Sequence, residues 1–253
     1  LHDENNHGTV WNCDNCRRHA NGQILMGIAS DDRFYDNKVI SDVVRFFNET
    51  KADIITCRRM VVDADSGQEI SSMPTKRYQK CLINKTPQKL FEECGSCNFI
   101  AGANTYYTRE FYEKMNGYDL NYKYIEDVPF IAKTLRNDIP IIFFDRVTIK
   151  YRYGKGISTT SNTNNVYRDA MYKDRKRFIE YEFLPYMNKW PWWRKEHMKV
   201  RMKRFEMEHQ VKQSGMLKAY VKIFFYSPIG TLVHILYQLE YKNSVQPLVK
   251  KVR

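Results

Sequence analysis

The sequence lacks several features that would settle its class at once. It has no internal repeat and no low-complexity tract, so neither a solenoid nor a biased disordered chain is expected. No run of about 18 apolar residues occurs, so no spanning helix is expected. The first residues, Leu1-His2-Asp3-Glu4-Asn5-Asn6, are polar and acidic, and no signal peptide is expected there. The chain begins with Leu rather than Met, which fits a fragment or a processed product. Its six cysteines do not look like a disulfide framework in a chain of 253 residues, and this favours a reducing compartment. Two pairs, Cys13/Cys16 and Cys94/Cys97, have the C-x-x-C form, but four-thiolate zinc sites place such pairs about 15–20 residues apart. Here the gap is far longer, so free thiols are expected rather than zinc. A Gly-rich, basic nucleotide loop near the N-terminus is also missing.

Acid is scarce in one part only. Up to Asn165 there are 22 Lys and Arg against 21 Asp and Glu; from Val166 onward there are 19 against 8. The formal net charge of +12 therefore sits almost wholly in the tail. That shift divides the chain into residues 1–165 and a basic, aromatic-rich helical region over 166–253. A basic tail points to an anionic partner: a membrane surface, a nucleic acid or an acidic polymer.

What is present starts with Ile24–Ile28, an apolar run that ends in Ala29-Ser30-Asp31-Asp32. A buried strand stopping at two carboxylates is a way to hold a divalent cation over a phosphate, because a hard cation accepts one or two carboxylates when phosphates supply the remaining oxygens. The same residues would also serve as a solvated acidic turn. A second pair, Glu126-Asp127, opens a helix that carries Pro129 in its first turn. It can take a proton there, or simply cap the helix. One pair for a metal and one for a proton suggests group transfer from a diphosphate donor.

Between these pairs the pattern alternates. Val39, Ile40, Val43, Val44, Phe46 and Phe47 recur at helical spacing, and Ala52–Thr56 reads as a buried strand. Asp63–Gly67 reads as a turn between two extended pieces. Thr86-Pro87 marks a helix start, with Gly95 as its expected stop. Phe99–Ala103 reads as a strand. Thr108 caps a helix ending at Asn116-Gly117. Ile139–Phe144 and Val147–Tyr153 read as two further strands. Alternation of this kind predicts an α/β layer with a mostly parallel sheet.

These residues together resemble the family 2 glycosyltransferases, whose fold is the GT-A nucleotide-diphospho-sugar transferase type, a Rossmann-like mixed sheet flanked by helices. Asn15, Ala20 and Gly22 fall in the family's "RNxGxxxAxG" helix. Ile24–Asp32 corresponds to its metal strand with an "SDD" form of the DxD motif. Asn116-Gly117-Tyr118-Asp119 is similar to its "GGFDE" loop, and Glu126-Asp127 to its "ED" pair. Tyr151–Ser158 is similar to the loop that closes over the donor diphosphate. Asp14 stands where the family usually has Arg, and Tyr153 to Lys155 stand where it often has His. The family's "PTYN" and "DDGS" segments are missing, so the nucleotide-binding lobe is expected to be N-terminally truncated.

The resemblance implies an inverting transfer from a nucleotide-sugar donor to a glycan or lipid-linked hydroxyl, in surface polysaccharide assembly. It implies Asp32 as ligand of Mg2+ or Mn2+, Asp127 as base, Asp31 and Glu126 as substrate contacts, and Arg152 and Lys155 as clamps on the diphosphate. Two rivals are a nucleotidyltransferase on a related fold and a basic nucleic-acid-binding module; nucleic acid is the less expected partner. For the tail, two readings stand open. Trp190, Trp192, Trp193 and the apolar Ala219–Leu239 suit an interfacial helix pair at the cytoplasmic face of the plasma membrane. Alternatively, these helices pack back on the catalytic domain.

Overall fold

The computed structural model describes residues 5–153, 165–210 and 216–239. It opens with helix α1 (Thr9–His19), followed by the short strands β1 (Ile24–Leu25) and β2 (Arg33–Phe34) and helix α2 (Val39–Thr50). In α2 the buried residues Val39, Val43 and Phe47 recur every four positions and form one apolar stripe. Strands β3 (Ile54–Asp63) and β4 (Glu69–Met73) make a hairpin over the expected Asp63–Gly67 turn. Helices α3 (Lys76–Asn84) and α4 (Pro87–Ser96) follow, and the Thr86 hydroxyl accepts from the Lys89 amide at 3.4 Å at the head of α4. A 3-10 turn (Gly102–Asn104) leads into β5 (Thr105–Thr108), then α5 (Arg109–Lys114), α6 (Asp127–Arg136) and β6 (Ile142–Tyr153). Thr108 caps α5 as expected, its hydroxyl accepting from the Phe111 amide at 3.2 Å.

The basic region is helical throughout its described part. It comprises α7 (Asn165–Arg177), a π-helical stretch (Phe178–Phe183), a 3-10 stretch (Leu184–Lys189), α8 (Trp192–Gln210), α9 (Met216–Tyr226) and a last helix, α10 (228–239).

The strand order is β1-β5-β3-β6-β2, with β4 also pairing β3. This corrects the expected parallel sheet: among the described residues only β3 and β6 run parallel, and every other pairing is antiparallel. The physical reason is that the β3–β4 hairpin reverses the chain, and α3 and α4 then return it to the sheet so that β5 runs in the direction of β4, antiparallel to β3. Two other expectations shift. Phe99 and Ile100 are buried as loop, and the strand begins only at Thr105. Residues 142–153 form one strand with register shifts against Thr56–Arg59, not two strands. The apolar run after Ile24 pairs only through Leu25 before leaving the sheet.

Gly95 does not stop α4. A Cβ there would sit 2.5 Å from Trp190 Cη2, so glycine makes room for the tail's indole inside the helix. One apolar cluster accordingly joins Leu90, Phe91 and Phe130 to Phe178, Phe183, Trp190 and Met198 across residue 165. Its rings stack, Phe91 on Phe183 at 5.0 Å. This also corrects the expectation for the tryptophans. Trp190 is core and Trp193 lies half-buried with the Arg194 guanidinium over its ring, so only Trp192 is exposed.

Candidate active site

Asp127 is the first residue of α6, and both its carboxylate oxygens accept backbone N–H groups. Oδ2 takes the Gly102 amide at 2.7 Å and Oδ1 the Val128 amide at 2.8 Å. Gly102 is needed for that approach, since a Cβ would lie 2.6 Å from Asp127 Cβ. Each oxygen keeps a second lone pair for a substrate proton. The loop ahead of the pair is fixed from the tail: Asp174 of α7, itself buried, accepts from the amides of Lys123 (2.9 Å), Tyr124 (2.7 Å) and Ile125 (3.3 Å). A carboxylate holding three successive amides is a rigid clamp on the segment that carries Glu126 and Asp127.

Glu126 is pushed up to about 7, first by burial and then by the adjacent Asp127 charge. Between the ordinary 4.5 and about 7 the folded protein holds a proton that the unfolded chain releases. Stability therefore falls as pH rises through that window and levels above it. Glu126→Gln should remove the fall. In urea titrations the variant should gain on the wild type at pH 8 relative to pH 4, and parallel profiles would refute the buried-carboxylate assignment.

Asp32 is buried, and its Oδ1 accepts from the Arg152 amide at 3.1 Å. Burial raises its pKa, with the Arg152 amide working against that and Asp31 adding to it. Its Oδ2 has no protein donor among the described residues. Asp31 is exposed on the turn beside it. The Arg152 side chain donates to the Ala64 carbonyl at 2.9 Å, and its charge, like that of Arg59, acts on Asp32. Lys155 lies outside the described residues.

Two basic residues with no sequence signal complete the cleft. Arg59 of β3 lies over the Tyr151 ring at 5.1 Å, acts electrostatically on Asp32, and donates to Asn104 Oδ1 at 3.3 Å. Asn104 ends the turn whose Gly102 amide holds Asp127. Arg59, whose charge acts on Asp32, is thus bonded to the 102–104 turn that holds Asp127. Arg17 of α1 donates from Nε to the Tyr107 hydroxyl and from Nη1 to the Cys13 carbonyl at 3.1 Å, and it lies over the Tyr118 ring at 4.9 Å. Burial opposes its charge, but the Tyr118 and Tyr107 oxygens outweigh it and keep the guanidinium protonated. Its charge also reaches Glu126. Asp14, in the position where the family has Arg, is instead a buried anchor: it accepts from Tyr112 OH and from the Tyr118 amide at 2.9 Å, and pairs with Arg18.

The described residues thus include a buried carboxylate just ahead of β2, Asp32, and a second at the head of α6, Asp127. The glycosyl transferase family 2 model matches residues 1–115. The match covers 115 of the 253 residues, and over that stretch the chain is similar to this family. Asp31 and Asp32 lie inside the match, and Glu126, Asp127 and Arg152 lie beyond it. The mixed sheet flanked by helices is of the family's GT-A type. No curated protein matches the chain. Among solved structures, S. aureus TarS is similar at a TM-score of 0.45 and 11% identity, over 91% of this chain and 43% of that one. S. aureus TarS 1-349 is similar at 0.46 and 11%, over 94% of this chain and 72% of that one. The chain thus spans less than half the length of the first.

Proposed function

We propose that the protein transfers a sugar, with inversion, from a nucleotide-sugar donor to a hydroxyl of a glycan or lipid-linked acceptor in surface polysaccharide assembly. The observation that carries this reading is the Asp127 carboxylate fixed at the head of α6 by the Gly102 and Val128 amides, with Arg59 bonded to Asn104 of the same 102–104 turn and its charge acting on the buried Asp32.

Asp32 fits a divalent cation, Mg2+ or Mn2+. One of its oxygens is oriented by the Arg152 amide, the other has no donor among the described residues, and Asp31 stands next to it. Such a sparse donor set suits a hard cation that takes most of its oxygens from phosphate. Bound there, the cation neutralises charge building on the leaving diphosphate as a Lewis acid. Arg59 adds a fixed positive charge on the same side. Asp31 orients donor hydroxyls. Lys155, outside the described residues, would bind the diphosphate.

Asp127 takes the proton of the acceptor hydroxyl as that oxygen attacks the anomeric carbon. Its two backbone bonds fix the carboxylate plane, and the Asp174 clamp fixes the approach to α6. Glu126 contacts the acceptor, with Arg17 balancing its charge.

Replacing Asp32 by Ala should weaken Mn2+-dependent binding of nucleoside diphosphates by at least about tenfold, the loss of one carboxylate from a sparse set. Calorimetric titration of uridine, guanosine and cytidine diphosphates with and without Mn2+ measures this. Unchanged affinity in the variant would remove Asp32 as the metal ligand, and no binding in the wild type would oppose the whole reading.

A further inference from the structure

Helix α10 is built inside out. The side it turns to the protein is polar: Ser227 at its head, Thr231 and His234 are all buried. Ser227 donates to Glu196 Oε2 at 2.8 Å, and His234 bridges His197 Nε2 at 3.2 Å and Arg204 Nη1 at 2.6 Å. The opposite side carries Ile229, Leu232, Ile235, Leu236 and Leu239, from 45 to 66% exposed. The spacing is that of an amphipathic helix, but the orientation is the reverse of a helix packed in a water-soluble core.

The docking is not loose. A Cβ at Gly230 would come 2.5 Å from the Glu196 carbonyl oxygen, so α10 lies against α8 as closely as backbone allows. Its polar inner side is a fitted interface, and its apolar outer side is what remains. Helix α9 extends the outer face. Ile223 is buried, while Val221, Phe224, Phe225 and Tyr226 are exposed, Phe225 at 77%. Residues of α8, α9 and α10, among them Val200, Phe224 and Ile235, line one apolar groove of about 500 Å3 that joins the two helices. An exposed apolar face of this extent marks an interaction surface.

We propose that α9 and α10 together lie on a membrane surface that carries anionic lipid. Charge selects this occupant over a second copy of the chain. Residues 216–239 hold Lys218 and Lys222 and no acid, within a region whose cations exceed its acids by 11. Self-association through this face would bring two such regions together, whereas anionic headgroups complement them. Length selects lying over spanning. Twelve residues of α10 extend about 18 Å, and no helix among the described residues is long and apolar enough to cross a membrane. Phe224, Phe225 and Tyr226 then sit at the headgroup boundary, with the leucines and isoleucines below it.

The test is independent of transfer activity. The full chain is sedimented with phosphatidylcholine vesicles, with and without phosphatidylglycerol, as wild type and as Phe225→Glu and Leu236→Ser. Both positions are exposed, so circular dichroism and thermal melts should match the wild type. Wild type should sediment with the anionic vesicles and less so in high salt. Each variant should lose roughly tenfold or more in partitioning, the contribution of one large apolar side chain. Two results would overturn the proposal. One is a wild type that stays in the supernatant with both vesicle types. The other is a wild-type dimer in light scattering that the same variants dissociate while vesicle binding is absent.

Discussion

Asparagine at position 127 should lower sugar transfer by about two to four orders of magnitude, the range for removing a general base. Nucleoside diphosphate binding with Mn2+ should change little, because the proposed metal ligand, Asp32, is a different residue. The substitution is not silent structurally. Both oxygens of Asp127 accept backbone amides, so the asparagine amide group must face either Gly102 N–H or Val128 N–H and forfeit that bond. The diphosphate titration therefore doubles as a control on the cleft. Loss of transfer with binding retained identifies Asp127 as the base. Equal loss of both would show that it holds the cleft together and leave the base unassigned.

The second large effect is on stability. Arg194 of α8 is 5% exposed and reaches across to α4, where it donates to the Glu92 carbonyl at 2.8 Å, Ser96 Oγ at 3.0 Å and Glu93 Oε1 at 3.0 Å. Those bonds and the Lys85 contact at 2.6 Å hold the buried Glu93 carboxyl below its usual range against the upward push of burial. Arg194→Ala leaves Glu93 with Lys85 and a 3.5 Å bond from the Tyr237 hydroxyl, and breaking a buried pair costs about 3–5 kcal/mol. The surviving lysine places the expectation near the lower end. Urea unfolding measures it, and Glu93→Gln in the same background should return part of the loss. A cost under about 1 kcal/mol, the value of an exposed pair, would mean that α8 is not tied to α4 as described.

The legible parts of this chain were those written in local chemistry. The Thr86-Pro87 and Thr108 helix starts, the Asn116-Gly117 stop and the Asp63–Gly67 turn depend on residues a few positions apart, and each lies where expected. The two acidic pairs were visible because carboxylates adjacent to apolar runs are unusual enough to notice. Strand direction was not visible. The alternation of helix and strand reads the same whether β5 follows the direction of β3 or of β4, and the pairing of Ile54, Ile55 and Thr56 with Tyr107, Tyr106 and Thr105 reveals the antiparallel choice. Gly95 looked like a stop because its true reason, the Trp190 ring, lies 95 residues away in sequence.

Arg17 and Arg59 carried no signal for the same reason. Each is one arginine among many, and what distinguishes it is the tyrosine or carboxylate that the fold brings next to it. The reversed polarity of α10 was half visible. Apolar Ile229, Leu232, Ile235 and Leu236 sit at helical spacing in the sequence, but which side faces outward follows only from Ser227, Thr231 and His234 meeting Glu196, His197 and Arg204.

The most direct measurement is the anomeric configuration of the sugar released when the protein hydrolyses its donor slowly with water as acceptor. Proton NMR with Mn2+ and a panel of nucleotide sugars follows it. The account predicts that the first sugar signal from the active donor has the anomeric configuration opposite to the donor linkage, and that Asp127→Asn and Asp32→Ala both silence it. Release of the same anomer, or equal release by the Asp127→Asn protein, would contradict a single displacement driven by these two carboxylates.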